Sequence, residues 1–164
     1  MAMEAILKDV TTLPGAVGLE QRPDGWWMNA PELDVVAMAK FLLEKSLRLS
    51  TVTAVALENG ETNLIYHYVG EGFALNLKTT TRKNHMPSIT PWVPAADWIE
   101  RETHDLYGVE FDGHPNLARL VLPPGLKEGF FRQPGGAAAK KTAAASPLAA
   151  AKETGSTADH ERRN

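Results

Sequence analysis

The chain has 164 residues, 43% of them hydrophobic, no cysteine and a formal net charge of -3, a length and composition suited to one compact domain. Without cysteine it forms no disulfide and offers no thiolate to an iron–sulfur cluster, a structural zinc ion or a nucleophilic reaction. Residues 133–164 carry five Lys or Arg against three Asp or Glu, which leaves the first 132 at -5 and argues against nucleic acid as a partner.

The densest apolar run, Val35-Val36-Ala37-Met38-Ala39, is five residues long, far short of the roughly 20 that a membrane span needs. Any link to a membrane is therefore expected to be indirect. Residues 1–10 carry Glu4, Lys8 and Asp9 around a short apolar patch and lack the basic and long apolar regions of a signal peptide. The expected location is cytoplasmic.

The first clear punctuation is Arg22-Pro23-Asp24-Gly25, a turn sequence that joins strands predicted over residues 16–20 and 25–29. Asn29 is the predicted cap of a helix with Pro31 and Glu32 in its first turn, running through Lys45. Its apolar residues fall on two sides, Leu33, Val36, Ala37, Leu43 and Leu47 on one and Val35, Met38, Leu42 and Leu49 on the other, which predicts cover on both. Three β-branched or aromatic stretches follow at residues 51–57, 63–69 and 73–78, separated by Glu58-Asn59-Gly60 and Gly70-Glu71-Gly72. Such short connections leave no room for crossover helices, so these strands form an antiparallel meander. The expected fold is α+β with a mixed or antiparallel sheet, in the order ββαβββα.

Three prolines in residues 85–94, Pro87, Pro91 and Pro94, force an extended path. Pro94 then opens a helix over residues 95–107, stopped by Gly108 in the left-handed conformation. A projection at 100° per residue puts Trp98, Glu102, Asp105, Ala95, Leu106 and Ile99 within an arc of about 120°. On that reading Glu102 and Asp105 share the apolar face, while Glu100, Arg101 and His104 face away. A buried carboxylate needs donors or a cation, and Arg119 is the cation expected for Glu102. The pair then serves either as hydrogen-bonded staples for the following loop or as acid and base in a small freestanding enzyme with His114; the staple reading is the better one, since no matched nucleophile or metal spacing accompanies it.

After the helix, Asp112-Gly113 makes a tight turn, Pro115 keeps His114 out of helical space, and the run ending in Pro123-Pro124 reads as an extended edge segment. From Gln133 the composition shifts to Ala-, Lys- and Gly-rich sequence, read as a disordered tail over 133–164 behind a domain of residues 1–132.

The string from Trp98 to Pro123, WIERETHDLYGVEFDGHPNLARLVLP, resembles the signature of the 30 kDa subunit family of complex I, the NADH-quinone oxidoreductase, roughly W-x-E-R-E-x-x-D-L-[FY]-G-[IV]-x-F-x-G-H-P-x-L-x-R-[IL]-[LM]-x-P. The resemblance extends more weakly over residues 16–124 and includes the related subunits of membrane-bound energy-converting [NiFe] hydrogenases. It implies a non-catalytic structural subunit in the peripheral arm of a membrane-bound, ion-translocating oxidoreductase, without a cofactor of its own. The implied partners are a large subunit, 49 kDa-like or the [NiFe] hydrogenase large subunit, and a small iron–sulfur subunit; the iron–sulfur clusters and nickel–iron centre belong to those partners. The implied docking residues are Trp98, Glu100, Arg101, Glu102, Asp105, Gly108, Gly113, His114, Pro115 and Arg119, with Gly108, Gly113 and Pro115 also shaping the loop. After Pro123 the chain departs from the respiratory pattern and continues Pro124-Gly125-Leu126-Lys127, which favours the hydrogenase branch slightly over the quinone-reducing one.

Overall fold

The computed structural model describes residues 2–132. The expectation of a disordered tail concerns residues outside that range. Helix α1 (Ala2–Val10) precedes strands β1 (Leu19–Arg22) and β2 (Gly25–Asn29), then come helix α2 (Val35–Glu44) and the meander β3 (Arg48–Ala56), β4 (Thr62–Gly70) and β5 (Phe73–Thr80). A short strand β6 (His85–Pro87), helix α3 (Ala96–Tyr107), strand β7 (Glu110–Asp112) and one 3₁₀ turn (Phe130–Arg132) complete the described chain. The predicted α+β order is present, with α1 and the β6/β7 pair in addition.

The main sheet has the order β1-β2-β5-β4-β3. All neighbours are antiparallel except β2 and β5, which are parallel. That parallel contact is reached through α2 and two further strands, so the sheet is mixed although its meander is antiparallel. A second, two-stranded parallel sheet joins β6 to β7.

Helix α2 begins later than its sequence suggests. Asp34 caps it, its Oδ1 accepting from the N–H of Val36 at 3.1 Å and of Ala37 at 2.9 Å. The preceding residues are drawn onto the sheet instead: the Ala30 N–H donates to the Lys78 carbonyl at 2.8 Å and the Thr80 N–H to that of Pro31, so Asn29 stays in β2. Of the two apolar sides, Val35, Met38 and Leu42 are buried, whereas Leu43 stands half in solvent. Period-2 alternation along β4 places Leu64, Tyr66 and Tyr68 on the covered face, level with Leu75 and Leu77 of β5, in one core with the buried stripes of α2 and α3. No helix among the described residues is long and apolar enough to cross a membrane.

Candidate functional site

Helix α3 ends as its sequence predicts. Gly108 adopts φ 64° and its N–H donates to the His104 carbonyl at 2.7 Å, a left-handed stop that a Cβ would strain. Gly108 is also where the chain passes itself: a Cβ there would lie 3.4 Å from the Cα of Gly129.

The face that α3 buries is not the one its large apolar residues suggest. Ala96, Glu100, Thr103 and Asp105 are buried, while Trp98 is 69% exposed and Glu102 lies in solvent. The projection therefore misplaced both glutamates: Glu100 points in and Glu102 out. With few large apolar residues on the helix, its rotation is set by hydrogen bonding. The extended segment before the helix presents three donors, and Glu100 answers them: Ser88 Oγ–H to Oε2 at 2.6 Å, the Ile89 N–H to Oε1 at 2.8 Å and Thr90 Oγ1–H to Oε2 at 2.9 Å. Burial pushes the Glu100 carboxyl above its ordinary pKa, opposed by those three bonds and by His114.

His114 is part of the same buried cluster. Its side chain is wholly covered, with Nε2 3.4 Å from Asp97 Oδ1 and 3.7 Å from Glu100 Oε2. Its Nδ1 accepts from the Asn116 N–H at 3.0 Å, a tautomer that leaves the proton on Nε2, facing the carboxylates. The imidazole therefore anchors the turn made by Gly113, at φ 81°, and Pro115 against α3.

One turn further along the helix, Asp105 performs a different task. Its Oδ2 accepts three consecutive backbone N–H groups, from Leu120 at 2.9 Å, Val121 at 2.7 Å and Leu122 at 3.1 Å. Burial opposes its ionisation, yet the three backbone donors and His104 outweigh it and hold the pKa below the usual aspartate value. Arg101 works on the adjoining carbonyls, Nε–H to Ala118 at 2.7 Å and Nη2–H to Arg119 at 3.1 Å, and lies 3.7 Å from Asp97. Helix α3 thus grips residues 118–122 by alternate ends of the peptide unit. These residues form a stapled loop with no strand pairing, where an extended edge segment is expected from sequence. Arg119 does not meet Glu102; its guanidinium pairs with Glu128 at 2.7 Å and with the Pro123 carbonyl at 3.2 Å.

A second polar cluster escaped the sequence reading. Arg132 donates to the carbonyls of Gly60 and Glu61, both at 2.6 Å, to Thr62 Oγ1, and to Asn84 Oδ1 at 3.1 Å. Glu61 in turn accepts from Thr81 Oγ1–H and from the N–H groups of Lys83 and Asn84, which holds its carboxyl below the ordinary glutamate pKa. Lys83 and Asn84 both adopt positive φ, and the Asn84 amide donates to the Tyr107 and Gly108 carbonyls at 3.2 and 2.5 Å. The β3/β4 turn, the entry to β6 and the end of α3 are thereby joined. An isolated Arg beyond a Gly-rich stretch carries no sequence signal of such a role.

The site residues thus fall into two groups. Glu100, Asp105, His114 and Arg101 face the chain's own backbone and side chains, whereas Trp98 and Glu102 face outward, with Val121 exposed on the stapled loop. Glu102, Asp105 and His114 do not line a common cleft: the first is exposed, the second has Oδ2 taken by three backbone donors and Oδ1 buried without a hydrogen-bond partner, and the third is sealed against Glu100. No group of three or more His, Cys, Asp or Glu among the described residues is arranged to hold a metal ion.

Residues 28–134 match the family described as the respiratory-chain NADH dehydrogenase, 30 Kd subunit. The chain is 49% identical over 49 residues to a NADH-quinone oxidoreductase subunit of Salinispora tropica, covering 30% of this chain and 20% of the relative. It is 41% identical over 66 residues to the subunit of the same name in Caulobacter vibrioides, 38% of this chain and 34% of that one. In these matches the chain spans about a third or less of the relatives' length. Among solved structures it is similar to a chain of the membrane-bound sulfane sulfur reductase, an archaeal respiratory membrane complex, with TM-score 0.62 and 27% identity over 76% of this chain and 79% of that one. A trypsin-resistant fragment of Nqo5 shares the fold at TM-score 0.58 and 21% identity, over 71% of this chain and 99% of the fragment. With the family match reaching from β2 past Arg132 and enclosing α3 with everything it holds, the chain belongs to the respiratory-chain NADH dehydrogenase 30 Kd subunit family.

Proposed function

We propose that the chain is a non-catalytic structural subunit in the peripheral arm of a membrane-bound, ion-translocating oxidoreductase, where it docks on the large subunit. The observation that carries this reading is the division of labour on α3. One side is fixed by Glu100, Asp105 and Arg101 to the chain's own segments; the other presents an indole 69% exposed. An apolar ring held out on a helix that cannot rotate is preorganised for a partner. Trp98 and the stapled loop form the contact surface, with Glu102 in solvent beside them, and Glu100, Asp105, Gly108, Gly113, His114 and Pro115 give it shape. The chain carries no cofactor; iron–sulfur clusters and any nickel–iron centre reside in the large subunit and a small iron–sulfur subunit, on the cytoplasmic side of the membrane.

Two kinds of complex fit. The curated relatives are named NADH-quinone oxidoreductase subunits, and the sulfane sulfur reductase chain covers more of this chain at lower identity. The sequence after Pro123 supports an energy-converting hydrogenase-like complex over a quinone reductase. The test is isolation of the tagged full chain from native membranes: co-isolation with a large subunit is expected, at wild-type level for Glu102→Gln and reduced about tenfold for Trp98→Ala. A chain recovered as a monomer without other subunits overturns the proposal.

A further inference from the structure

The main sheet has two edges that differ in kind. Strand β1 is four residues long and carries Glu20 and Arg22, both features that discourage further pairing. Strand β3, at the opposite edge, runs nine residues, and from Leu49 to Ala56 it contains no charge and no proline. Its direction of hydrogen bonding follows from the turn: the Leu57 N–H donates to the Glu61 carbonyl at 2.8 Å, so Thr51, Thr53 and Val55, of the same parity, bond to β4. The Thr62 carbonyl accepts from Thr81 on the β5 side at 2.9 Å, and Thr62 faces Ala56 in the register, which fixes the same alternation. The N–H and C=O groups of Val52, Ala54 and Ala56 therefore point away from the sheet.

The side chains of Val52 and Ala54 stand opposite Tyr66 and Leu64, on the covered face. They nevertheless remain partly exposed, and Thr51, Thr53 and Val55 are exposed; no strand among the described residues pairs with this edge. A row of outward backbone groups beside half-covered apolar side chains is completed by one more strand. Resting on the reading of this chain as a subunit of a larger complex, we propose that the β3 edge accepts an extended segment of a neighbouring subunit, which adds a sixth strand to the sheet. About six residues suffice, uncharged over the run and apolar at alternate positions that face the core. A second copy would bring only Ala54, Val52 and their small neighbours to the inward positions and would bury little apolar area there.

The experiment is amide hydrogen exchange on the full chain, free and in the complex isolated from membranes. Exchange at Val52, Ala54 and Ala56 is expected to be fast in the free chain and slowed by about a hundredfold in the complex. Ala54→Pro removes one outward N–H without touching a bond to β4, and Ala54→Lys places an inward charge at the edge; each is expected to lower recovery in the complex about tenfold while the free chain melts near the wild-type temperature. If Ala54→Pro fails to fold, Ala54→Lys and the exchange measurement decide. Fast exchange in a complex that contains the chain overturns the edge proposal and leaves the subunit reading standing. Protection in the free chain that rises with its concentration also overturns it, in favour of self-pairing. A chain that co-isolates with no other subunit overturns both.

Discussion

Glu100 and Asp105 sit five residues apart on one helix, are equally hidden from water, and each accepts three hydrogen bonds, yet their pKa values move in opposite directions. Depth of burial and the donors together explain it: Glu100 lies deep beside Tyr66 and Tyr68, where loss of solvent outweighs its bonds, whereas Asp105 lies nearer the surface under residues 120–122. Two of the donors on Glu100 are hydroxyls of Ser88 and Thr90, which rotate and serve a neutral acid nearly as well as an anion. Those on Asp105 are three successive backbone N–H groups fixed by the chain, a positive concavity that favours charge. Depth of burial and the freedom of the donors therefore set the charge of each carboxylate together.

The sharpest way to break the comparison is to remove each group in turn. Asp105→Ala strands three backbone donors that cannot turn elsewhere and is expected to destabilise the chain by about 3–5 kcal/mol in chemical denaturation, with the amides of 120–122 losing protection first. Glu100→Ala leaves one backbone donor, on Ile89, and two hydroxyls able to find other acceptors, so a loss of about 2–3 kcal/mol is expected, and less for Glu100→Gln, which keeps an acceptor. A larger loss at position 100 than at 105 would refute the account of the donors.

The pH dependence sharpens it further. Asp105, with its pKa lowered by folding, contributes stability that is present above the unfolded aspartate value and is lost as pH falls through the folded one. Glu100, with its pKa raised, contributes stability that is present below the unfolded glutamate value and is lost as pH rises through the folded one. Denaturation midpoints between pH 3 and 7 should therefore give difference curves of opposite slope for Asp105→Asn and Glu100→Gln against wild type; parallel slopes would sink the assignment. The smallest effect belongs to Glu102→Gln, expected within about 0.5 kcal/mol because the side chain lies in solvent.

Much of this was legible in the residues. The Arg22–Gly25 turn, the meander and the glycine stop of α3 all follow from local rules, because each depends on neighbours in sequence. The rotation of α3 does not. Trp98 and Leu106 dominated the projection, but the face was chosen by three donors on residues 88–90, whose need for an acceptor becomes visible only when Pro87 and Pro91 have laid that segment against the helix. The cap of α2 shifted from Asn29 to Asp34 for a similar reason, since β5 claimed the intervening backbone. Asp105 is a hydrogen-bonded staple for the loop, and Glu102 lies in solvent.

The Arg132 clasp has a bearing on how the protein is made. Arg132 and Gly60 are 72 residues apart, so at about 5–20 residues per second Gly60 is synthesised some 4–14 s before its partner. During that interval the carbonyls of Gly60 and Glu61 lack their guanidinium, and α3, once made, meets the hairpin through Asn84 and its packing on β3 alone. Nascent chains halted before Arg132 should thus display a formed meander with a loose end, a state for chaperones to hold, and the β3 edge is on offer to other strands throughout that wait.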